Sequence, residues 1–216
     1  MRVFFGCTRA RWMVEAMASA GVGRVMTPDA RAVPGVDEPW GLDNGAFARW
    51  KRGEPGFPVE PFLAHVEWGL AQGSAPRWAV LPDLIAEGMR SLDFSLGWLG
   101  SGRLPRWPWY LAVQDGMEPG GVERAVRGTG VAGLFIGGSS AFKVESCERW
   151  VSVARALGVP CHWGRASRLS WATYASEIGC GSCDTTQPLW DKRVFRRWIG
   201  NVRGGTWAPL QYRFSF

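Results

Sequence analysis

The sequence predicts an α/β protein with one compact domain, folded as a (β/α)8, TIM-like barrel. Three observations support this prediction. The chain of 216 residues suits a single domain. Eight short apolar runs bounded by Gly or Pro lack strict alternation, as expected for strands buried on both faces. Most of these runs precede a stretch of helical periodicity. An open doubly wound sheet is the main alternative.

Each predicted strand is brief and apolar. In chain order the strands are residues 2–5, 24–26, 40–43, 78–83, 109–114, 133–138, 161–164 and 182–186. Amphipathic segments predict helices at 8–21, 58–73, 86–100, 139–158, 168–179 and 188–200. The Pro- and Asp-rich stretch 27–39 predicts a loop. Together these elements form one predicted domain, residues 1–216, which has a basic C-terminal segment.

The composition is that of a soluble globular protein with excess positive charge. The formal net charge of +6 and the pI near 9.4 suit a polyanionic partner, although solubility explains them equally well. Some of the 14 tryptophans could stack on nucleobases. No apolar stretch approaches the roughly 20 residues of a membrane span, and the first apolar run is too short for a signal peptide. We therefore expect a cytoplasmic protein without membrane contact.

The Cys and His residues restrict the chemistry. The five cysteines suggest reduced thiols, and no second CxxC or paired His follows Cys180 and Cys183. We therefore predict no metal site and expect this CxxC to serve packing. His65 and His162 are the only histidines, which excludes a site of several imidazoles, and His162 is expected to be structural. No GxGxxG follows the first strand, so nothing indicates a dinucleotide site. We predict no cofactor.

Polar or glycine residues lie at the ends of six of the predicted strands, directly after an apolar run. They are Asp43, Asp83, Gln114, Gly137 with Gly138, Arg165 and Asp184. Asn44 and Gly45 predict a turn, which places Asp43 where a strand becomes a loop. In a (β/α)8 barrel these strand ends form the active-site face. Polar caps explain any one position, but three acids and an amide at four strand ends favour a shared pocket.

Carboxylates limit what such a pocket could do. Three carboxylates could bind Mg²⁺, but no phosphate loop accompanies them. Paired carboxylates can instead cleave a glycosidic bond, one attacking the anomeric carbon and the other handling protons. The Gln114 amide and a Gly-Gly backbone could offer donors and acceptors to a planar heterocycle. The combination indicates a glycosyl bond to a nucleobase.

Six motifs at successive strand ends carry a family resemblance. In order they are LDNGAF, VLPDL, YLAVQDG, GLFIGGSS, HWGRAS and GCGSCDTT, within residues 42–186. This set resembles the tRNA-guanine transglycosylase superfamily, and more closely its phage and bacterial relatives that insert 7-deazaguanines into DNA. The resemblance implies that Asp184 is a nucleophile that forms a covalent glycosyl-enzyme. It implies that Asp43 is the acid for proton transfer and contact with the base.

The resemblance also implies a base-binding set and shows departures. Asp83, Gln114, Gly137 and Gly138 match positions that contact the edge of a guanine-like base. Asn44 and Ala46 stand where the family usually has Ser and Gly, and the zinc site of the tRNA enzymes is absent.

Cations near the end of the chain predict nucleic-acid contacts. From Trp163 onward the chain has eight Lys or Arg and three Asp or Glu. The stretch DKRVFRRW interleaves cations with aromatic residues, as a nucleic-acid surface would, although a solvated face is the simpler alternative. The candidate phosphate contacts are Arg165, Arg168, Lys192, Arg193, Arg196 and Arg197.

We therefore expect an enzyme that cleaves the N-glycosidic bond of a base in DNA, held as a single strand or flipped from a duplex. A 7-deazaguanine acceptor would give base exchange, and water would give an abasic site, as in a DNA glycosylase of phage defence. The alternatives are a tRNA base-exchange enzyme, a catalytically silent nucleic-acid-binding barrel, and an unrelated barrel enzyme acting on a small sugar or nucleotide.

Overall fold

Eight parallel strands close into a barrel in chain order, and β8 pairs back to β1. The structure is a computed structural model that describes residues 1–205, so the last part of the predicted basic segment lies outside the described residues. The strands are β1 Arg2–Gly6, β2 Gly23–Met26, β3 Trp40–Leu42, β4 Trp78–Val80, β5 Trp109–Val113, β6 Gly133–Ile136, β7 Cys161–Trp163 and β8 Ser182–Thr185. The predicted (β/α)8 barrel is confirmed, and the open sheet is wrong because the first and last strands pair.

Helices surround the barrel. They are α1 Arg11–Ser19, α2 Ala46–Lys51, α3 Val59–Leu70, α4 Met89–Gly100, α5 Pro119–Val126, α6 Ser140–Leu157, α7 Leu169–Ile178 and α8 Lys192–Gly204. The sequence did not predict α2, which is a single short run after the Asn-Gly turn. It did not predict α5 either, because that helix opens on Pro-Gly-Gly and glycine is a poor helix former.

The helix predicted at 188–200 is divided in two. A short 3-10 helix, Gln187–Trp190, precedes α8. The Asp191 carboxylate separates them, because its Oδ1 accepts hydrogen bonds from the backbone N–H groups of Arg193 and Val194 at 2.7 and 3.0 Å. This N-cap satisfies donors that the first helical turn leaves unpaired. It fixes the start of α8, which follows β8 and the 3-10 helix in the chain.

Residues 27–39 form the predicted loop, with no helix between β2 and β3. The buried guanidinium of Arg24 holds this loop against the barrel. It pairs with the Glu38 carboxylate and donates to the carbonyl of Val33 at 3.0 Å. Two helices, α2 and α3, follow β3 instead.

Large aromatic rings fill the barrel interior where a neighbouring strand carries glycine. A Cβ added at Gly41 would lie 2.3 Å from the Trp78 ring, and one at Gly133 would lie 2.4 Å from the Tyr110 ring. At both positions the absence of a side chain on glycine leaves room for the ring of a neighbouring strand. The interior is packed, and the open space lies above the strand ends.

Apolar residues fill the layer between the barrel and its helices. Cys180 and Cys183 are buried in this layer, and all five cysteines are unbridged, so the CxxC does pack as expected. Within residues 1–205, no helix has the length and apolar character to cross a membrane.

Candidate active site

Asp184 lies at the end of β8, 9% exposed, with its two carboxylate oxygens in different surroundings. Oδ1 accepts hydrogen bonds from the His162 ring Nε2 at 3.0 Å and from the backbone N–H of Arg165 at 3.1 Å. Oδ2 has no hydrogen-bond partner among residues 1–205. The first oxygen therefore fixes the carboxylate, and the second is available to a bound molecule.

His162 is a site residue that the sequence interpretation assigned to structure alone. It is fully buried inside the barrel, where its ring stacks on Phe135 at 4.8 Å between centroids. Its Nδ1 lies 2.7 Å from the Ser182 hydroxyl. A hydrogen bond from Nε2 to the Asp184 carboxylate requires a proton on Nε2, and the Ser182 hydroxyl can donate to or accept from Nδ1 according to the tautomer. The pairing of β7 with β8 brings these groups together, because His162 of β7 is in register with Ser182 of β8.

Asp43 lies at the strand-to-loop boundary that the Asn-Gly pair predicted. Gly45 has a φ of 77°, and its N–H donates to Asp43 Oδ1 at 2.8 Å. Loss of solvation raises the pKa of Asp43 to about 6, and the Asp184 charge adds to this rise against the opposing Gly45 hydrogen bond. A carboxyl group that titrates close to neutral pH suits proton transfer.

Asp83 follows β4 and accepts hydrogen bonds from residues that lie just after the two neighbouring strands, β3 and β5. Its Oδ1 accepts from the Asn44 amide at 2.7 Å, and its Oδ2 accepts from the Gln114 amide at 3.1 Å. Burial raises the pKa of Asp83 to about 7, and the Asp43 charge also raises it, while both amide donors oppose the rise. Asn44 therefore supports this acid directly.

Gln114 is 1% exposed, and its amide group forms hydrogen bonds with the segment that follows β4. Its Nε2 donates to the Leu84 carbonyl at 3.0 Å and to the Ser91 hydroxyl at 2.8 Å. Its Oε1 accepts from the Ala86 N–H at 2.8 Å. In this conformation Gln114 organises that loop, and direct contact between Gln114 and a base stays a prediction.

Gly137 and Gly138 bring the backbone after β6 close to the site. Gly138 has a φ of 71°, and a Cβ there would lie 2.6 Å from Asp115 Oδ2. Asp115, which the sequence interpretation passed over, accepts from the backbone N–H and the hydroxyl of Ser139, both at 2.7 Å. These bonds hold the pKa of Asp115 below its usual value even though partial burial raises it. Base contact by the glycine pair stays a prediction.

The side chain of Arg165 bridges the mouth of the barrel. Its guanidinium lies 3.6 Å from the Phe47 ring centroid and donates to the Gly138 carbonyl. Its own φ of 55° is unusual for a non-glycine residue, which marks a strained turn after β7. Arg168 is exposed at the N-terminus of α7. Phosphate contact by either arginine stays a prediction.

A cavity of about 510 Å³ opens beside Asp184, a size typical of small-molecule sites. Aromatic rings of Phe47, Trp171 and Trp190 line its walls. Lys143, from the first turn of α6, also lines it and is only 2% exposed. The sequence interpretation missed Lys143 because a lysine on an amphipathic helix predicts a solvated position.

The cations of α8 project away from the core. The four that the sequence singled out are all exposed: Lys192, Arg193, Arg196 and Arg197. The opposite face is buried, with Phe195 and Trp198 each 5.9 Å from the Phe5 ring. Binding of nucleic acid by the exposed face stays a prediction.

Candidate metal ligands are not clustered in the described part of the chain. Among residues 1–205, no group of three or more His, Cys, Asp or Glu is arranged to hold a metal ion.

The fold and the polar strand ends define a (β/α)8 barrel protein with a candidate active site at the carboxyl-terminal face. No family model and no curated protein matches the chain. Among solved structures, the crystal structure of RipC from Yersinia pestis is similar, with 15% sequence identity and a TM-score of 0.52. The match covers 98% of this chain and 96% of RipC. At this identity the likeness supports the fold alone.

Proposed function

We propose that the protein cleaves the N-glycosidic bond of a nucleobase in DNA, with Asp184 as the nucleophile. One observation carries this proposal. Asp184 has one oxygen fixed by two N–H donors, and its other oxygen lacks a partner within residues 1–205, beside a cavity of about 510 Å³. A buried and oriented carboxylate in a cavity of that size is the arrangement that covalent glycosyl transfer needs.

In the proposed reaction, Oδ2 of Asp184 attacks C1′ and the bond from C1′ to the base nitrogen breaks. Asp43 carries the proton that the departing base takes up, because its pKa of about 6 keeps a protonated fraction near neutral pH. A glycosyl ester on Asp184 results. Water then releases an abasic sugar, or a 7-deazaguanine attacks the same carbon and is incorporated.

The cavity walls suit a base that has left the helical stack. Phe47, Trp171 and Trp190 offer ring faces for stacking. Asp83, with a pKa of about 7, can both donate and accept at a base edge when it moves from its amide partners. The exposed arginines of α8 supply charge for the phosphates on either side.

Two alternatives are less well supported by the same site. A catalytically silent nucleic-acid-binding barrel gains nothing from four carboxylates at its mouth, because anions repel phosphates. These carboxylates are Asp43, Asp83, Asp115 and Asp184. An enzyme for free nucleosides would not need the cationic face of α8. A tRNA substrate would use the same chemistry, so the substrate assay must include it.

The test is an assay of base release and base exchange. Single-stranded DNA, duplex DNA and tRNA, each with ordinary or modified bases, are incubated with the protein with and without a 7-deazaguanine base. Mass spectrometry then identifies released bases and the product strand. Free nucleosides are assayed in parallel.

Asp184→Asn supplies the decisive comparison. We expect base release to fall by at least about 10³-fold because an amide is a poor nucleophile, while the similar shape preserves the fold. Asp93→Asn is the matched control, since Asp93 is an exposed acid on α4. Near-normal turnover by a folded Asp184→Asn protein would remove Asp184 from the mechanism. Failure of the unchanged protein to act on any of these substrates would refute the proposal.

A further inference from the structure

Lys143 has a position that the proposed glycosyl transfer does not explain. Its side chain is 2% exposed in the cavity wall, and its Nζ donates to the Gly164 carbonyl at 2.8 Å. No carboxylate of residues 1–205 lies within the 4.0 Å that defines an ion pair with this Nζ. Structural lysines that are buried this deeply are almost always paired with an acid.

The missing ion pair determines the protonation of this amine. An unpaired ammonium group is costly to bury, so burial, together with the nearby Arg165 charge, lowers the pKa of Lys143 to about 7, although the charges of Asp184 and Asp115 oppose this shift. A substantial fraction of the amine is therefore neutral near neutral pH. A neutral lysine amine in a cavity is a nucleophile toward carbonyl carbon.

The backbone after β7 connects Lys143 to the nucleophile. Nζ contacts the Gly164 carbonyl and lies 3.5 Å from the Arg165 carbonyl, while the Arg165 N–H binds Asp184 Oδ1 at 3.1 Å. Lys143 and Asp184 thus lie on either side of one turn and line the same cavity. A deoxyribose released from Asp184 would remain beside the amine.

We propose that Lys143 forms a Schiff base with the C1′ aldehyde of an abasic deoxyribose, which makes the protein a DNA strand-cleaving lyase as well. This inference rests on the proposed function, because hydrolysis of the glycosyl ester supplies the abasic sugar.

The chemistry balances without an oxidant or a reductant. The Nζ lone pair adds to C1′ of the ring-opened sugar, and the carbinolamine loses water to give a protonated imine. The carboxylate of Asp184 takes a proton from C2′, the electrons of that C–H bond form a C2′–C3′ double bond, and the C3′–O3′ bond breaks so that the phosphate leaves with O3′. Water hydrolyses the imine, which frees Lys143 and leaves an unsaturated aldehyde and a 5′-phosphate end.

The test uses DNA in which the abasic site is made beforehand by another enzyme, so that base removal is bypassed. Borohydride reduces the imine to a stable amine and joins the protein to the strand. We expect a covalent adduct on a denaturing gel, strand cleavage without borohydride, and an adduct mass on the tryptic peptide that contains Lys143.

Variants separate Lys143 from the other amines. Lys143→Met and Lys143→Arg should each lose at least about 100-fold of the adduct, since neither side chain forms an imine. Lys143→Arg retains the hydrogen-bond donor, and thermal melting reports whether each variant folds. An adduct that persists in both variants, or that maps to the exposed Lys51, would overturn the assignment.

The two proposals fail separately in this design. If the protein releases a base from intact DNA but gives no adduct on abasic DNA, the Lys143 proposal is wrong and the glycosyl-transfer proposal stands. If the adduct forms on Lys143 but no base is released from any substrate, the glycosyl-transfer proposal is wrong and the lyase assignment to Lys143 stands.

Discussion

Individual side chains at the barrel mouth have their roles set by the neighbours that they contact. Asp184 is oriented from below by His162, which in turn contacts Ser182. These three residues form a hydrogen-bonded chain that starts inside the barrel and ends at the cavity. We infer that His162 is a positioning residue, since it acts on a bound sugar only through Asp184.

Replacement of His162 should separate positioning from packing. We expect His162→Phe to keep ring stacking on Phe135 but to lower kcat on the order of 10²-fold, because one donor to Oδ1 is lost. KM should change little. His162→Gln, which retains an N–H near the Nε2 position, should recover part of the rate. Steady-state base release, with melting temperatures, makes the comparison. An equal loss in both variants, or a change confined to KM, would contradict the role.

Asp43 should make the stability of the protein depend on pH. Its folded pKa is raised to about 6 from the ordinary value, so the folded state binds more protons between about pH 4 and 6. Stability contributed by this group is therefore lost as the pH rises through that window. We expect Asp43→Asn to stabilise the protein at pH 8 and to change it little at pH 4, as measured by urea unfolding. Asp93→Asn, at an exposed position, should show no such difference. A pH-independent effect of Asp43→Asn would count against the raised pKa.

Among the helices, α8 combines a packing face with a cationic face. Phe195 and Trp198 pack on Phe5 of β1, and Arg193, Arg196 and Arg197 lie three or four residues apart on the opposite side. The Asp191 cap sets where this helix begins. The helix thus places cations on the outside of the barrel without burying any of them.

Neutralising this face should change the salt dependence of DNA binding. We expect replacement of Arg193, Arg196 and Arg197 by Gln to flatten the slope of log affinity against log salt. The slope should fall by about 0.9 per lost phosphate contact on duplex DNA and about 0.7 on single strands. All sequences should be weakened alike, and the released base should be unchanged.

The control variant also replaces three arginines by Gln, but at the opposite end of the barrel. Arg77, Arg103 and Arg106 are exposed and precede the first residues of β4 and β5. Their replacement by Gln should leave the slope close to that of the unchanged protein. If both triple variants gave the same slope, α8 would not be the DNA-binding face.

For the molecule as a whole, closure of the barrel depends on pairing small with large side chains across strands. Gly41 accommodates Trp78, and Gly133 accommodates Tyr110. The filled interior supports the strand ends from below and keeps the mouth residues in register. Stability of the barrel and geometry of the site are therefore linked.

Glycine replacements should show where the barrel has no spare volume. We expect Gly41→Ala to destabilise the protein by about 1–3 kcal/mol, since the new methyl would overlap the Trp78 ring. Gly97→Ala should stabilise it by about 0.5–1 kcal/mol, because Gly97 lies inside α4 with nothing within 4 Å of the added carbon. Urea unfolding of both variants tests this. A neutral Gly41→Ala would show that the interior can relax.

Local patterns were sufficient for most of the fold. Strand positions, six helices and the 27–39 loop follow from short-range periodicity and turn residues, and Asp43, Asp83 and Asp184 follow from their places directly after apolar runs. These features depend on residues that are close in the chain, where steric and hydrogen-bonding preferences act without help from the rest of the molecule. The helix α5 escaped prediction because its first residues oppose helix formation and packing overrides them.

Contacts between distant residues required the closed barrel. The pairing of β7 with β8 brings His162 to Asp184, packing of α6 buries Lys143 without an acid, and the loop after β4 engages the amide of Gln114. Each depends on register or burial, which a single stretch of sequence does not encode. Burial also sets the pKa values of Asp43, Asp83 and Lys143, since the cost of holding a charge depends on how much water the surrounding fold removes.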